Sequence, residues 1–360
     1  MQGELVPSSV PLPQAGGEPA STIASPEGEG KKTELVAIDV GGTQARFALA
    51  QIAPDGAITL GDCVTLATHD HASFQTAWEA FARQVGAPLP RAAAIAIAGP
   101  VGTEVIRFTN NPWTIQPAML PQQLGVDRVT LVNDFGAVGY AVLHAEPSDF
   151  LHLAGPDGPL PTAGTISVIG PGTGLGVAHV WRNGRPLNEQ GAHHVQATEG
   201  GHADFAPLDA IEDALLSRLR QRHRRVSVER VVSGPGLIDI YKTLAALEGR
   251  ASTDHDDKAL WQLGTSGTDS LAAAAVERFC LSLGSIAGDI ALVQGAAAVV
   301  IAGGLGLRIK DTLVASGFAS RFRAKGRFEA MMAALPVKLI THPQPGLLGA
   351  AAAFAMEHVN

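Results

Sequence analysis

Cysteine is scarce. Only Cys63 and Cys280 occur in 360 residues, too few for a disulfide framework and without the CxxC spacing of a zinc site, which fits a reducing cytoplasmic setting. Aromatic residues make up 5% of the chain and charged residues 17%, against 46% hydrophobic and 41 glycines. That is the balance of an α/β enzyme with many tight turns, not of a fibrous or disordered chain. The net charge of −8 gives no electrostatic footprint for nucleic acid. The one basic cluster, residues 218–225, reads as a solvated helix face. There is no GxxxxGK[ST] Walker loop, and no GxGxxG runs from a strand into a helix. No basic segment followed by an apolar one opens the sequence, so no secretion signal is expected. The longest uncharged stretch, residues 290–307, nominally reaches membrane-spanning length. It contains Gln294 and several glycines, and Val299-Val300-Ile301 running into Gly303-Gly304 reads better as a buried strand and turn, so no membrane partner is expected.

What is present is organised around glycine. The chain exceeds the size at which one hydrophobic core keeps growing, which predicts two lobes and a cleft between them. Residues 1–32, rich in Pro, Gly, Ser and Glu without apolar periodicity, are expected to be a disordered tail. A small α/β lobe is expected over residues 33–144 plus 342–360, and a large one over 145–341. In the first, Leu35-Val36-Ala37-Ile38 is a strand, Gly41-Gly42 a turn and Arg46-Phe47-Ala48-Leu49-Ala50 a returning strand. A helix over 73–85 and a strand over 92–98 follow. The second lobe repeats the opening: strand 165–169, turn 170–174, returning strand 177–181. Helices are predicted over 208–220, 236–247 and 270–292. The alanine-rich helix 346–357, introduced by Pro345, is expected to return to the first lobe.

The glycine turns carry the phosphate chemistry. Gly41 and Gly42 lack Cβ and tolerate positive φ, so backbone N–H groups can approach phosphate oxygens, and Thr43 adds a hydroxyl. Gly172, Thr173 and Gly174 supply the same donors from the other lobe, and Gly303-Gly304 makes a third glycine turn. Two matching turns in one order predict an ATP clamp. Asp39, just before the first turn, is placed to hold Mg²⁺ through water. Asn133 and Asp134 sit between an apolar strand and a predicted helix over 135–144. Asp134 is either the helix N-cap or the base that accepts a sugar hydroxyl proton during phosphoryl transfer. With an ordinary aspartate pKa of ~4 it would act late in that transfer. Asn110, Asn133, Asp134, Glu199, His202 and Glu229 are the residue types a polyol needs. Trp113 reads equally as a pocket wall or as core. His193, His194 and His202 match no metal-ligand spacing.

These segments carry a family resemblance. Asp39-Val40-Gly41-Gly42-Thr43, Thr109-Asn110, Asn133-Asp134-Phe135, Gly172-Thr173-Gly174-Leu175-Gly176, Glu199-Gly200-Gly201-His202, Glu229-Arg230-Val231-Val232-Ser233-Gly234-Pro235-Gly236 and Pro345-Gly346-Leu347-Leu348-Gly349 together resemble the bacterial glucokinases. The resemblance implies a two-lobed actin-like ATPase fold, a duplicated ribonuclease H-like α/β unit with the site in the cleft. It also implies ATP-dependent phosphorylation of glucose at the 6-hydroxyl, with Asp134 as base. Asn133, Asp134, Glu199, His202 and Glu229 would hold the sugar. Residues 39–43, Thr173 and Gly303-Gly304 would serve phosphates and adenosine. A homodimer is implied as well. Gln44 departs from the family's usual asparagine. A hexose kinase of broader specificity and a noncatalytic sugar-sensing relative are the competing readings, the second without a DNA-binding helix pair to support it.

Overall fold

A computed structural model describes residues 32–99, 101–108 and 111–359. The expected tail over 1–32 therefore lies outside the described residues except for Lys32, and so do Thr109 and Asn110.

Two six-stranded sheets are built on one plan. In the first, β1 (Thr33–Val40) pairs antiparallel with β2 (Gln44–Ile52), and β2 carries the short strands β3 (Ile58–Leu60) and β4 (Val64–Ala67). On its other side β1 pairs parallel with β5 (Ala92–Ile97). A two-residue ribbon, β6 (Ile106–Arg107) with β7 (Thr114–Ile115), precedes β8 (Arg128–Asn133), which extends the parallel set beyond β5. The second sheet adds β9 (Phe150–Ala154), β10 (Ala163–Pro171), β11 (Leu175–Asn183), β12 (His193–Thr198), β13 (Ala296–Ile301) and β14 (Val337–Ile340). Its order, β12-β11-β10-β13-β14-β9, repeats the order β3-β2-β1-β5-β8 of the first and adds one antiparallel edge strand. Both sheets contain the hairpin that the sequence predicts, but β9, which the sequence reading missed, precedes the second one in the chain.

Local signals set the helices. α1 (Phe74–Val85) starts at a Ser73–Thr76 capping box, ends at Gly86 in the left-handed region, and buries Phe74, Ala77, Trp78 and Phe81. α2 (Leu120–Leu124) is a single turn, and α3 (Asp134–His144) follows β8 directly. α4 (Ala210–Arg220) begins two residues later than predicted because Asp209 caps it, and α5 (Gly234–Leu247) two residues earlier because Ser233 does. α6 (Asp257–Ser266) leads into α7 (Ser270–Gln294), the one described helix long and apolar enough to cross a membrane. It is a core helix instead, 72% buried. Residues 290–307 are the end of α7, a left-handed Gly295 cap, β13 and the start of α8 (Gly303–Arg308). The short helices α9 (Lys310–Ala315), α10 (Phe318–Arg323) and α11 (Glu329–Ala333) cover one end of α7 and β14.

α12 (Pro345–His358) returns to the first sheet. Its Leu347, Ala350, Ala351 and Phe354 pack on Leu35, Ala37, Ala48 and Ala94. It also lies against α3, where a Cβ on Gly349 would fall 1.7 Å from the carbonyl oxygen of Ala137. Only glycine permits that backbone approach.

Candidate active site

The parallel strands of the first sheet bring two carboxylates to one end. Val40, Ile97 and Asn133 are register partners across β1, β5 and β8, so Asp39 lies one residue before that line and Asp134 one residue after it. This is the carboxyl end of the strands, where open α/β sheets place their ligands. Asp39 is opposite Arg46 on β2, and Arg46 Nη1 donates to Asp39 Oδ2 at 3.1 Å. Burial pushes the Asp39 carboxyl above its usual range, and Arg46 pulls back against that shift. The donor to Asp39 is thus the facing guanidinium of β2. The exposed Gln44 accepts from Arg46 Nη2 at 3.4 Å, so the longer amide at this position reaches the same guanidinium.

The first turn is held from outside. Gly41 N–H donates to the Gln44 carbonyl at 2.9 Å, while Thr68 donates its N–H to the Thr43 carbonyl and its hydroxyl to the Gly42 carbonyl. Positive φ is expected at the turn glycines. Gly41, Gly172 and Gly174 do not adopt it, so their value lies in the missing Cβ alone.

Asp134 is not the helix cap. Asn133 holds that position, its Oδ1 accepting from the N–H groups of Phe135 and Gly136 at 3.0 Å while its Nδ2 donates to the Gly99 carbonyl at 3.1 Å. Asp134 is the first helical residue and accepts from Phe135 N–H at 2.8 Å. Its pKa is pushed up to about 6, first by burial and then by the negative charges of Asp39 and Glu199, against the hydrogen bond from Phe135. That corrects the expected pKa near 4. The Phe135 ring sits over the second hairpin, where a Cβ on Gly170 or Gly176 would come within 2.5 or 2.2 Å of it.

The second turn is fixed by its own lobe. Glu229 Oε2 accepts from Leu175 N–H at 2.9 Å, and a Cβ on Gly174 would lie 2.4 Å from that oxygen. Gly234 N–H donates to the Gly172 carbonyl at 2.8 Å. Gly303, with φ at +83°, is pressed against the same turn, its absent Cβ falling 2.7 Å from the Pro171 carbonyl oxygen. Gly172, Thr173, Gly174, Glu229, Gly303 and Gly304 thus converge on one side of the cleft. Asp39, Gly41, Gly42, Thr43, Asn133 and Asp134 form the other. Among the described residues no hydrogen bond joins the two turns, and Thr43 and Thr173 are both exposed. Glu199 and His202 pair at 3.7 Å in the turn after β12, with the Glu199 side chain 91% exposed.

Asn110 falls outside the described residues, but its neighbour Asn111 is buried and donates to the Gly41 carbonyl at 3.4 Å. Asn111 also accepts from Trp113 N–H at 2.9 Å, and Trp113 is core, its indole N–H bonded to the His71 carbonyl. His193 is buried edge-on to Tyr140, and His194 is exposed. No three His, Cys, Asp or Glu side chains gather to hold a metal among the described residues. Sequence reasoning missed Arg46, Thr68 and Asn111. Only Arg46 left a signal, since in a hairpin closing at Val40 and Ala45 it must oppose Asp39.

The glucokinase family profile matches residues 35–357. The glucokinase of Zymomonas mobilis subsp. mobilis is 57% identical over 325 residues, spanning 90% of this chain and 98% of the relative. That of Caulobacter vibrioides is 40% identical over 326 residues, 89% of this chain and 94% of its own. Among solved structures, a glucokinase from an Antarctic psychrotroph superposes with a TM-score of 0.77 at 32% identity, covering 89% of this chain and 98% of its own.

Proposed function

This chain belongs to the glucokinase family, and on that premise we propose that it transfers the γ-phosphoryl group of ATP to the 6-hydroxyl of glucose. Its paired sheets are the two halves of the actin-like ATPase fold. The observation that carries the reaction is the Asp134 carboxyl, half-buried at the strand ends and raised to about 6, which leaves it mostly ionised at neutral pH and more basic than a free aspartate. The sugar oxygen bonds to the γ-phosphorus as the bond to the bridging β,γ-oxygen breaks. ADP leaves, and the hydroxyl proton passes to Asp134. Glu199, His202 and Glu229 with Asn133 and Asn110 hold the sugar hydroxyls. Asn133 does so with what its capping and Gly99 bonds leave free. The N–H groups of residues 41–43 and 172–174, with Gly303 and Gly304, cradle the nucleotide.

Mg²⁺ belongs to the same reading. Asp39 is a half-buried carboxyl whose charge is offset by Arg46, the single-carboxylate setting in which magnesium would keep its waters and take the rest of its shell from phosphates. When bound, the ion neutralises charge on the β- and γ-phosphate oxygens. Lobes 33–144 with 342–360 and 145–341 follow the two sheets, and a cytoplasmic homodimer completes the proposal. Because no hydrogen bond spans the turns, sugar is needed to close them.

The test is a panel of hexoses at saturating Mg-ATP, reading ADP and sugar phosphate together. Glucose 6-phosphate should form with ADP in equal amounts, and ADP release without sugar should be slower by several orders of magnitude. Brisk sugar-independent hydrolysis would overturn the reading, and equal rates with mannose or fructose would replace it with the broader hexose kinase.

A further inference from the structure

Most of the basic residues 218–225 are exposed, as a solvated face would be, but Arg218 is half-buried. α4 ends among them and packs against α5, and between the two helices lies a cavity of about 330 Å³ lined in part by Arg218, Gln221, Arg222, Pro235, Asp239 and Lys242. Three cations face one carboxylate there. Arg222 is paired with that carboxylate, Asp239. Lys242 reaches Asp254 at 3.3 Å, but the Asp254 side chain is 98% exposed, and such a pair holds its lysine weakly. Arg218 has no acidic partner among the described residues, and its Nε is sealed from solvent with nothing to bond.

The carbonyl end of α4 favours cations in its last turn, which accounts for charge near this place. It does not account for three cations gathered around one carboxylate in a concave wall, in a chain of net charge −8. Guanidinium groups bind planar or tetrahedral oxyanions through paired N–H donors, and an ammonium adds a point charge. Gln221 adds an amide that can serve hydroxyls. The cavity is concave and of small-molecule size.

We propose that this cavity is a second, noncatalytic site that binds a small phosphorylated anion. It adjoins a smaller cavity of about 210 Å³ that shares Arg222, Pro235 and Asp239 and extends to Thr173 and Glu229. The site therefore neighbours the second glycine turn, and the first residue of α5 is bonded to that turn through Gly234 N–H and the Gly172 carbonyl.

The experiment uses the full chain and inorganic pyrophosphate as probe, followed by calorimetry at constant ionic strength. One saturable site per chain is expected. Arg218→Gln and Lys242→Gln should each weaken it by about tenfold, the scale of one charge-assisted contact. Both should keep wild-type kcat and melting temperature. Lys242 is only partly buried and its one ion pair is to the exposed Asp254, so Lys242→Gln keeps the test sound if Arg218→Gln fails to fold. Binding should persist with saturating glucose and a non-hydrolysable ATP analogue. A signal that never saturates, equal affinity in Lys242→Gln, or displacement by the ATP analogue would overturn the proposal, the last by placing the anion at the glycine turn.

Discussion

The hairpins of the two sheets match in topology and differ at the second pair from the turn. In the first, that pair is Asp39 opposite Arg46, and in the second it is Gly170 opposite Gly176. One hairpin puts a compensated charge into the cleft. The other removes side chains, and the space admits the ring of Phe135, which follows Asp134 directly. The charged pair sets one of the fields that Asp134 feels, and the glycine pair fixes the residue beside it. A duplicated scaffold has thus divided two tasks, charge and placement, at a single register position.

The largest expected effect tests charge. Asp134→Asn should lower kcat by roughly 10²-fold or more. It should also stabilise the protein. A carboxyl whose pKa is near 3.8 unfolded and about 6 folded disfavours the folded state as pH rises through that window, by about 3 kcal/mol once it is fully ionised. The variant's gain in melting temperature should accordingly be full at pH 8, small at pH 4 and absent well below the unfolded pKa. A variant with wild-type kcat would reduce Asp134 to a structural residue.

The next tests placement. Gly176→Ala drives a methyl group into the Phe135 ring and should destabilise by about 1–3 kcal/mol while lowering kcat, as overpacking does. Gly172→Ala, where a Cβ meets nothing within 4 Å, should leave the melting temperature nearly unchanged. Equal melting temperatures for the two variants would remove the wedge from the comparison.

A third prediction separates sugar reading from turn building. Glu199→Gln should raise the glucose KM by about tenfold and leave both ATP KM and melting temperature alone, since the side chain is almost fully exposed. Glu229→Gln weakens the bond to Leu175 N–H, so it should change the KM for ATP and glucose together and lower the melting temperature. The smallest effect is on pH dependence. kcat/KM should fall only about twofold between pH 7.5 and 6, with an apparent midpoint near 6 set by Asp134, and tenfold per unit further down. A midpoint near 4 would mean that burial does not perturb this carboxyl.

The sequence made the repeated hairpins legible because each is a local event, an apolar run, a glycine turn and a second apolar run. It made the positions of Asp39 and Asp134 legible for the same reason. It could not show which of Asn133 and Asp134 caps α3, since both residue types suit that position and the choice depends on where the strand stops. Nor could it show the raised pKa of Asp134, which comes from burial under distant segments. The double duty of Glu229, the core placement of Trp113 and the cavity beneath Arg218 depend on contacts between segments far apart in the chain. Periodicity carries no information about those.

The contact between α12 and the start of the chain has a consequence for synthesis. Gly346, in the first turn of α12, leaves room for Asp39, whose carboxylate a Cβ there would approach within 2.6 Å. Asp39 is among the earliest described residues to leave the ribosome, and the helix that walls it in is the last described element to follow. A nascent chain could form both hairpins and still have the Asp39 carboxylate open to water on the α12 side. Burial of that carboxylate, and with it the field around Asp134, is therefore deferred until translation has passed the final helix. A growing chain would hold no finished catalyst while it is still being made.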